Sequence, residues 1–209
     1  MFDFHAHLAN NKSENVYIAS TNIEEYSLIK DYKYHSYGLL NSTNILDIPI
    51  FRDAIINDKQ SFIGEVGLDK RYKETINDKV LAESLSLAKD LNKVVIFHIV
   101  GMYDVFFKEL KKYKLKTPFI VHGFTASFEI AKEINKLGGY ISLNAKSERC
   151  KDFSALLTLP FLLETDLPDD NNRIINLNMW YEKIANYTNI DINQLIRIMN
   201  ERRTIFENI

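Results

Sequence analysis

The strongest constraint on the fold of this chain is an alternation of short apolar runs with segments of helical periodicity. The runs are rich in β-branched, aliphatic and aromatic side chains, which is typical of strands. They lie at Phe2–His7, Asn15–Ser20, Tyr34–Leu40, Phe62–Leu68, Val94–Val100, Phe119–Phe124, Gly139–Asn144 and Phe161–Asp166. Because strands that alternate with helices form parallel sheets through right-handed crossovers, the sequence predicts an α/β fold.

The segments between these runs carry apolar residues at helical spacing. Three such faces consist of Leu81, Leu85, Ala88 and Leu91, of Met102, Phe106, Leu110 and Tyr113, and of Ile130, Ile134 and Leu137. Asp191, with Gln194 after it, resembles a capping box that opens a last helix. Eight strands favour a closed TIM barrel over an open doubly wound sheet, whose typical glycine-rich phosphate loop is absent. The segments that follow the second and seventh strands are short, so the helices there must be short.

Length, charge and cysteine content limit the further possibilities. With 209 residues, we expect one compact (β/α)8 barrel domain over residues 1–209 with shortened loops. A net charge of −2 gives no overall attraction for a polyanion, so a nucleic-acid substrate would need a local patch or bound cations. The single cysteine, the lack of a signal peptide and the lack of a bilayer-length apolar run favour a cytoplasmic protein without membrane contact.

The first strand places three polar side chains on one face. Asp3, His5 and His7 are spaced with the period of two that strands impose. In a barrel this face points inward, while Phe4 and Ala6 pack on the helices. Two imidazoles one pleat apart can bind one metal ion together, although an isolated His-x-His pair is equally compatible with core or surface histidines.

Two further histidines lie in or at the end of apolar runs later in the chain. His98 is embedded in VVIFHIV and His122 in PFIVHGF. A buried imidazole without a partner costs about 1–3 kcal/mol. One such residue is more often a satisfied core histidine, but two at equivalent positions beside a His-x-His pair indicate metal ligands. His35 begins its run and receives no role.

Two carboxylates complete this set. Glu65 lies inside FIGEVGLD, and Asp166 closes FLLETD. A buried carboxylate needs a counter-charge or a metal ion, so the alternatives are an ion pair for Glu65 and a helix N-cap for Asp166. Four imidazoles and two carboxylates exceed the needs of one tetrahedral ion with an open position and suit two ions that share a bridging carboxylate. Two divalent ions would leave about two positive charges, which can hold a phosphate.

These motifs together resemble the TatD-type metal-dependent nucleases of the amidohydrolase superfamily. The matching motifs are DFHAHL, GEVGLDK, VVIFH, VHGFTAS, GGYISLN and LLETDLP. The resemblance implies a TIM barrel that cleaves phosphodiester bonds at DNA or RNA ends, as a 3′→5′ exonuclease or deoxyribonuclease, with metal-activated water. It makes nucleic acid the expected partner.

The resemblance also implies residue roles. The ligands would be His5, His7 and Asp166 for the first ion and His98 and His122 for the second, with Glu65 bridging both. Asp166 would orient or deprotonate the attacking water and, with Glu65, form the catalytic pair. Asp3 would orient a ligating imidazole without binding the metal itself. Glu164 would have a similar role or form a salt bridge. The implied cofactors are two divalent ions, Zn²⁺, Mn²⁺ or Mg²⁺.

The chain departs from the family pattern in loops that face the substrate. Gly38–Asn41 stands where the family usually has Gly-x-His-Pro, Val100 stands where an arginine is frequent, and the Asn-Glu-Pro after Asp166 is absent. Basic residues that could contact phosphate are Lys70, Arg71, Lys73, Lys146, Arg149 and Arg173.

These departures leave two further hypotheses open. The same ligand set could serve an amidohydrolase or an esterase acting on a small molecule or on aminoacyl-tRNA, because fold and metal ligands do not fix the substrate. Alternatively, the barrel could be a non-catalytic subunit of a larger complex, for instance in anti-phage defence.

Overall fold

The computed structural model describes residues 1–72 and 74–209, and all eight predicted runs form strands within these ranges. The strands are β1 Asp3–His7, β2 Val16–Ala19, β3 His35–Tyr37, β4 Phe62–Asp69, β5 Val95–Val100, β6 Phe119–Val121, β7 Gly139–Leu143 and β8 Phe161–Leu163. They pair in chain order as one parallel sheet that curls into a nearly closed barrel. The predicted TIM barrel is therefore confirmed.

Helices connect the strands and cover the outside of the sheet. They are α1 Tyr26–Ile29, α2 Asp47–Asn57, α3 Asn77–Leu91, α4 Tyr103–Tyr113, α5 Phe128–Lys136, α6 Phe153–Leu156, α7 Asn171–Thr188 and α8 Ile192–Glu207. The helices after β2 and β7, α1 and α6, have four residues each, as the short spacing predicts. The helical patterns did not predict α2 and α7. Among the described residues, no helix has the length and apolar character that crossing a membrane requires.

The two faces of β1 have the environments that the alternation predicts. Phe2 and Phe4 are buried, and the ring of Phe4 packs edge-on against Phe206 of α8 with 6.3 Å between centroids. Asp3 and His5, on the other face, are also fully buried. The apolar face therefore anchors β1 to the helical layer, while the polar face points into the barrel.

The helices bury the faces that their apolar spacing predicts. Leu81, Leu85 and Ala88 of α3 are buried, whereas Leu91, in its last position, is 41% exposed. At the start of α8, the Asp191 carboxylate accepts hydrogen bonds from two backbone N–H groups of the first turn. This cap satisfies donors that would otherwise have no partner within the helix.

The barrel closes between β8 and β1 through the segment that follows β8. The Asp166 N–H donates to the His5 carbonyl over 3.0 Å. The Asp3 carboxylate accepts hydrogen bonds from the Thr165 N–H (3.0 Å) and hydroxyl (2.6 Å). These contacts hold Asp166 in a fixed position beside the histidines of β1.

A close approach of β4 to β5 requires glycine at position 67. Gly67 has a φ of +156°, and a Cβ atom there would overlap the carbonyl oxygen of His98. The pairing register of β4 with β5 is interrupted between Ile63 and Val66. Such irregularities redirect side chains, and this one contains Glu65.

Candidate metal centre

Six side chains meet at the C-terminal mouth of the barrel, where the active sites of such barrels lie. They are His5 and His7 of β1, Glu65 of β4, His98 of β5, His122 directly after β6 and Asp166 in the segment after β8. Their nitrogen and oxygen atoms form three overlapping groups, in each of which the atoms lie within 4.8 Å of one another. Residues that are up to 161 positions apart in the sequence, from His5 to Asp166, therefore converge on one cluster.

Glu65 lies at the centre of this cluster and faces two separate sets of imidazoles. Its Oε1 atom lies 2.6 Å from His98 Nδ1 and 2.9 Å from His122 Nε2. Its Oε2 atom lies 3.3 Å from His5 Nε2 and 3.8 Å from His7 Nε2. One carboxylate thus offers one oxygen to each of two neighbouring positions, which is the arrangement of a bridging ligand.

Asp166 faces the set formed by the two histidines of β1. Its Oδ1 atom lies 3.2 Å from His7 Nε2 and 4.0 Å from His5 Nε2. The residue has a φ of +58°, a left-handed conformation that aspartate tolerates better than most residues. The predicted alternative of a helix N-cap is wrong, because Asp170 caps α7.

The environment of these atoms fits a bound cation. Among the described residues, both ring nitrogens of His5 and the Oε2 atom of Glu65 are buried without a hydrogen-bond partner. Leaving buried polar atoms unpaired costs about 1–3 kcal/mol each, so such groups normally have a partner or bind a metal. His98 Nδ1 and His122 Nε2 are only 2.9 Å apart, and two imidazoles facing each other in this way can share a metal ion.

When no cation is bound, the charges of Glu65 and His122 stabilise each other. Burial raises the pKa of Glu65, but the charge on His122 and hydrogen bonds from the imidazoles hold it well below the usual value. Burial lowers the pKa of His122, but the carboxylates of Glu65 and Glu164 together raise it well above the usual value. Burial lowers the pKa of His5. A cation bound between these groups would therefore replace protons.

Two further carboxylates contact the outer nitrogens of two histidines. Asp69 Oδ2 lies 3.2 Å from His98 Nε2, whereas Glu65 faces the other ring nitrogen, Nδ1. Glu164 Oε1 lies 3.7 Å from His122 Nδ1, beyond hydrogen-bond distance, and accepts a 2.7 Å hydrogen bond from a backbone N–H. A carboxylate in the position of Asp69 can fix the tautomer and the orientation of a metal-binding histidine.

Asp69 is the residue of this network that sequence reasoning missed. Burial raises the pKa of Asp69, but hydrogen bonds from Arg71 and His98 lower it to about 2. Arg71 Nε lies 2.9 Å from both carboxylate oxygens. In the motif GEVGLDK, Asp69 lies four positions after Glu65, and the period of two in a strand therefore places both on one face of β4. The alternation that pointed to His5 could therefore have identified Asp69.

Two sequence-based assignments need correction. Among the described residues the Asp3 carboxylate contacts no imidazole ring; it accepts hydrogen bonds from Thr165, from Arg173 and, over 3.3 Å, from the backbone N–H of His5. Arg173 was a candidate substrate contact, but it is 3% exposed and its guanidinium lies 3.0 Å from Asp3 Oδ2 and 2.9 Å from Asp169 Oδ1. Its charge is fully engaged inside the protein, so it cannot reach a substrate at the mouth.

The remaining basic candidates differ in their surroundings. Lys146 Nζ lies 2.9 Å from Asp166 Oδ2, at the edge of the cluster. Lys70 and Arg149 are exposed, and their side chains make no hydrogen bond or ion pair within the described part of the chain. Lys73 lies outside the described residues.

The loop after β3, where the family motif is altered, is fixed by a pair of amides. The Asn41 N–H donates to Asn77 Oδ1 over 2.8 Å, and Asn77 Nδ2 donates to Asn41 Oδ1 over 3.1 Å. These bonds join the loop to the first turn of α3. His35 lies at the opposite end of β3, with its Nε2 atom 2.7 Å from Asp58 Oδ2.

Comparison with known proteins identifies relatives of this chain. The family model described as TatD related DNase matches residues 42–206. An uncharacterized metal-dependent hydrolase from Methanocaldococcus jannaschii is 30% identical over 146 residues, which cover 64% of this chain and 57% of the relative. The uncharacterized metal-dependent hydrolase YjjV of Escherichia coli is 33% identical over 116 residues, 51% of this chain and 45% of the relative. The chain thus spans about half the length of these relatives.

Solved structures have the same fold. The crystal structure of YjjV, a TatD homolog from Escherichia coli, superposes with a TM-score of 0.81 at 20% identity over 100% of this chain and 98% of that one. A TatD family hydrolase from Entamoeba histolytica gives a TM-score of 0.74 at 13% identity, over 91% of this chain and 83% of that one. Since the family model covers most of the sequence and ends within α8, the chain belongs to the TatD-related DNase family of metal-dependent hydrolases.

Proposed function

We propose that this chain hydrolyses phosphodiester bonds of DNA or RNA with two divalent ions bound at the barrel mouth. We further propose that it acts on strand ends as a 3′→5′ exonuclease or deoxyribonuclease. The observation that carries the proposal is the position of Glu65, whose two oxygens face two different pairs of imidazoles. Membership of the TatD-related DNase family supports nucleic acid as the substrate class.

We assign the six side chains to two candidate binding positions. The first would be formed by His5, His7 and Asp166 and the second by His98 and His122, with Glu65 contributing to both. Ions bound there would act as Lewis acids towards water and towards the phosphate group. Imidazole-rich positions suit Zn²⁺ or Mn²⁺ better than Mg²⁺, which prefers oxygen ligands.

Asp166 is the residue of this set best placed to act on the attacking water. Its side chain is 16% exposed, whereas that of Glu65 is 4% exposed. Burial raises the pKa of Asp166, but hydrogen bonds and charges from the surrounding imidazoles and from Lys146 lower it below the usual range. An ionised carboxylate at the mouth can accept a hydrogen bond from water, orient it and take its proton.

Cleavage of end-labelled strands tests the proposal. Single- and double-stranded DNA and RNA, each labelled at the 5′ end, are incubated with the protein and Mg²⁺, Mn²⁺ or Zn²⁺. We expect progressive shortening from the 3′ end and a loss of at least about 100-fold in Glu65→Gln and Asp166→Asn, the size typical of a lost acid–base group. Asp152→Asn, an exposed carboxylate that makes no capping hydrogen bond, is the matched control. Absence of cleavage with every metal, or full activity of E65Q, would refute the nuclease proposal.

A second candidate function is hydrolysis of a carboxylic ester or amide by the same centre. The observation that favours it is the altered loop Gly38–Asn41, where Asn41 binds Asn77 and no histidine is present to contact substrate. Parallel assays with chromogenic phosphodiesters, carboxylic esters and amides distinguish the two. A higher kcat/KM on esters or amides would favour this candidate.

A further inference from the structure

Lys146 places a positive charge directly beside the proposed metal ligands. Its Nζ atom lies 2.9 Å from Asp166 Oδ2, while Asp166 Oδ1 faces the histidines of β1. The Lys146 side chain is 63% exposed. The ammonium group therefore contacts the cluster on one side and solvent on the other.

The backbone that carries Lys146 is tied to the same network of side chains. Lys146 lies in a 3-10 turn, Ala145–Arg149, and its N–H donates to Asn144 Oδ1 over 2.9 Å. Asn144 Nδ2 in turn donates to Glu164 Oε1 over 3.0 Å. Ser147 of the same turn donates its hydroxyl to a backbone carbonyl over 2.7 Å. The start of the lysine side chain is therefore held in a fixed relation to the centre.

The Lys146 ammonium group has further N–H donors that can bind an anion. A lysine carries three N–H donors, and within the described ranges Asp166 is the only hydrogen-bond partner of Lys146 Nζ. Two other basic candidates are less suitable, since Arg173 is buried in ion pairs and Arg149 makes no ion pair or hydrogen bond with the cluster within the described residues.

We propose that Lys146 binds a phosphate oxygen of the substrate next to the bond that is cleaved, and so selects anionic esters over neutral ones. This proposal rests on the proposed function for its substrate class. Lys146 keeps its contact with Asp166 through one donor and offers the remaining donors to the phosphate. A charge-assisted hydrogen bond of this kind is among the stronger polar contacts in proteins.

Binding of inorganic phosphate to the Mn²⁺-loaded protein tests the proposal without requiring turnover. In calorimetric titrations, we expect Lys146→Met to raise the Kd for phosphate about tenfold and Lys146→Arg to restore most of the affinity. Lys151→Met removes an exposed lysine from the neighbouring segment and should leave the Kd unchanged. Mn²⁺ titrations of the same variants should give the wild-type stoichiometry and affinity.

Kinetics on small substrates provides a second readout. K146M should raise KM for bis(4-nitrophenyl) phosphate more than it lowers kcat, and should raise that KM more than it raises KM for 4-nitrophenyl acetate. An unaltered phosphate Kd in K146M, or a phosphate loss matched by an equal loss of Mn²⁺ affinity, overturns the proposal. The second of these outcomes would show that Lys146 acts by positioning Asp166. Tight, Lys146-dependent phosphate binding without any cleavage of DNA or RNA would refute the nuclease proposal while leaving this one standing.

Discussion

A substitution at Arg173 tests whether this residue stabilises the fold or contacts substrate, as its sequence position suggested. Its guanidinium lies between two fully buried carboxylates, 3.0 Å from Asp3 Oδ2 and 2.9 Å from Asp169 Oδ1. Arg173→Met would leave both carboxylates without their cation. Breaking a buried ion pair by removing one partner costs about 3–5 kcal/mol.

The effect should be large in thermal unfolding. For a chain of this length, each kcal/mol lowers Tm by about 2–4 °C, so R173M should unfold about 6–20 °C below the wild type. Calorimetry or urea denaturation of the metal-free protein measures this. Arg149→Met removes an exposed arginine and should change stability by no more than about 0.5 kcal/mol.

A double variant tests the cause of the loss. Adding Asp169→Asn to R173M removes one of the two uncompensated charges, so it should restore part of the lost stability. If R173M keeps the wild-type Tm and instead raises KM for a phosphodiester, the assignment of Arg173 to the interior is refuted and the substrate contact is supported.

Three further predictions concern Asp69 beside the proposed centre, Asp58 at the opposite end of the barrel and Gly67 in β4. Asp69→Asn should weaken metal binding at the His98 position about 10–100-fold, because the carboxylate that orients the imidazole is lost. Calorimetric titration should show no change at the position formed by His5, His7 and Asp166. Asp53→Asn, exposed on α2, is the control. Burial raises the pKa of Asp58, but hydrogen bonds from His35 hold it below 3.8. The ionised Asp58 therefore stabilises the folded state above pH 3.8, and this stabilisation is lost as the pH falls through the folded-state pKa. The difference in Tm between wild type and Asp58→Asn should shrink at acid pH. Gly67→Ala should lower the free energy of unfolding by at least about 1–3 kcal/mol, because its φ is unfavourable and its Cβ would meet β5; wild-type stability of this variant would contradict the close approach.

The barrel and the cluster could be predicted from the sequence because both depend on local periodicity. The alternation in DFHAH assigns His5 and His7 to one face of β1, and parallel strands bring their C-terminal ends to one mouth. His98 lies in the C-terminal half of β5 and His122 directly follows β6, so their meeting with Glu65 follows from the topology. The helices after β2 and β7 could be predicted to be short because few residues separate the strands.

Contacts between distant segments could not be predicted in this way. The position of Arg173 after β8 suggested a substrate contact, yet its partner Asp3 lies 170 residues earlier in the chain, and nothing local in the sequence indicates the pair. Helix α7 was missed because its first half, NNRIINLN, is rich in asparagine, a poor helix former. Its burial of Leu177, Trp180 and Ile184 depends on packing against the barrel.

The most direct test of the proposed two-ion centre is anomalous diffraction from crystals grown with Mn²⁺ or Zn²⁺ and measured at the absorption edge of the metal. We expect two anomalous peaks, one on the side of Glu65 that faces His5 and His7 and one on the side that faces His98 and His122. Absence of peaks at this mouth, or a single ion that does not touch Glu65, would contradict the bridging role of this carboxylate and the two-ion mechanism that depends on it.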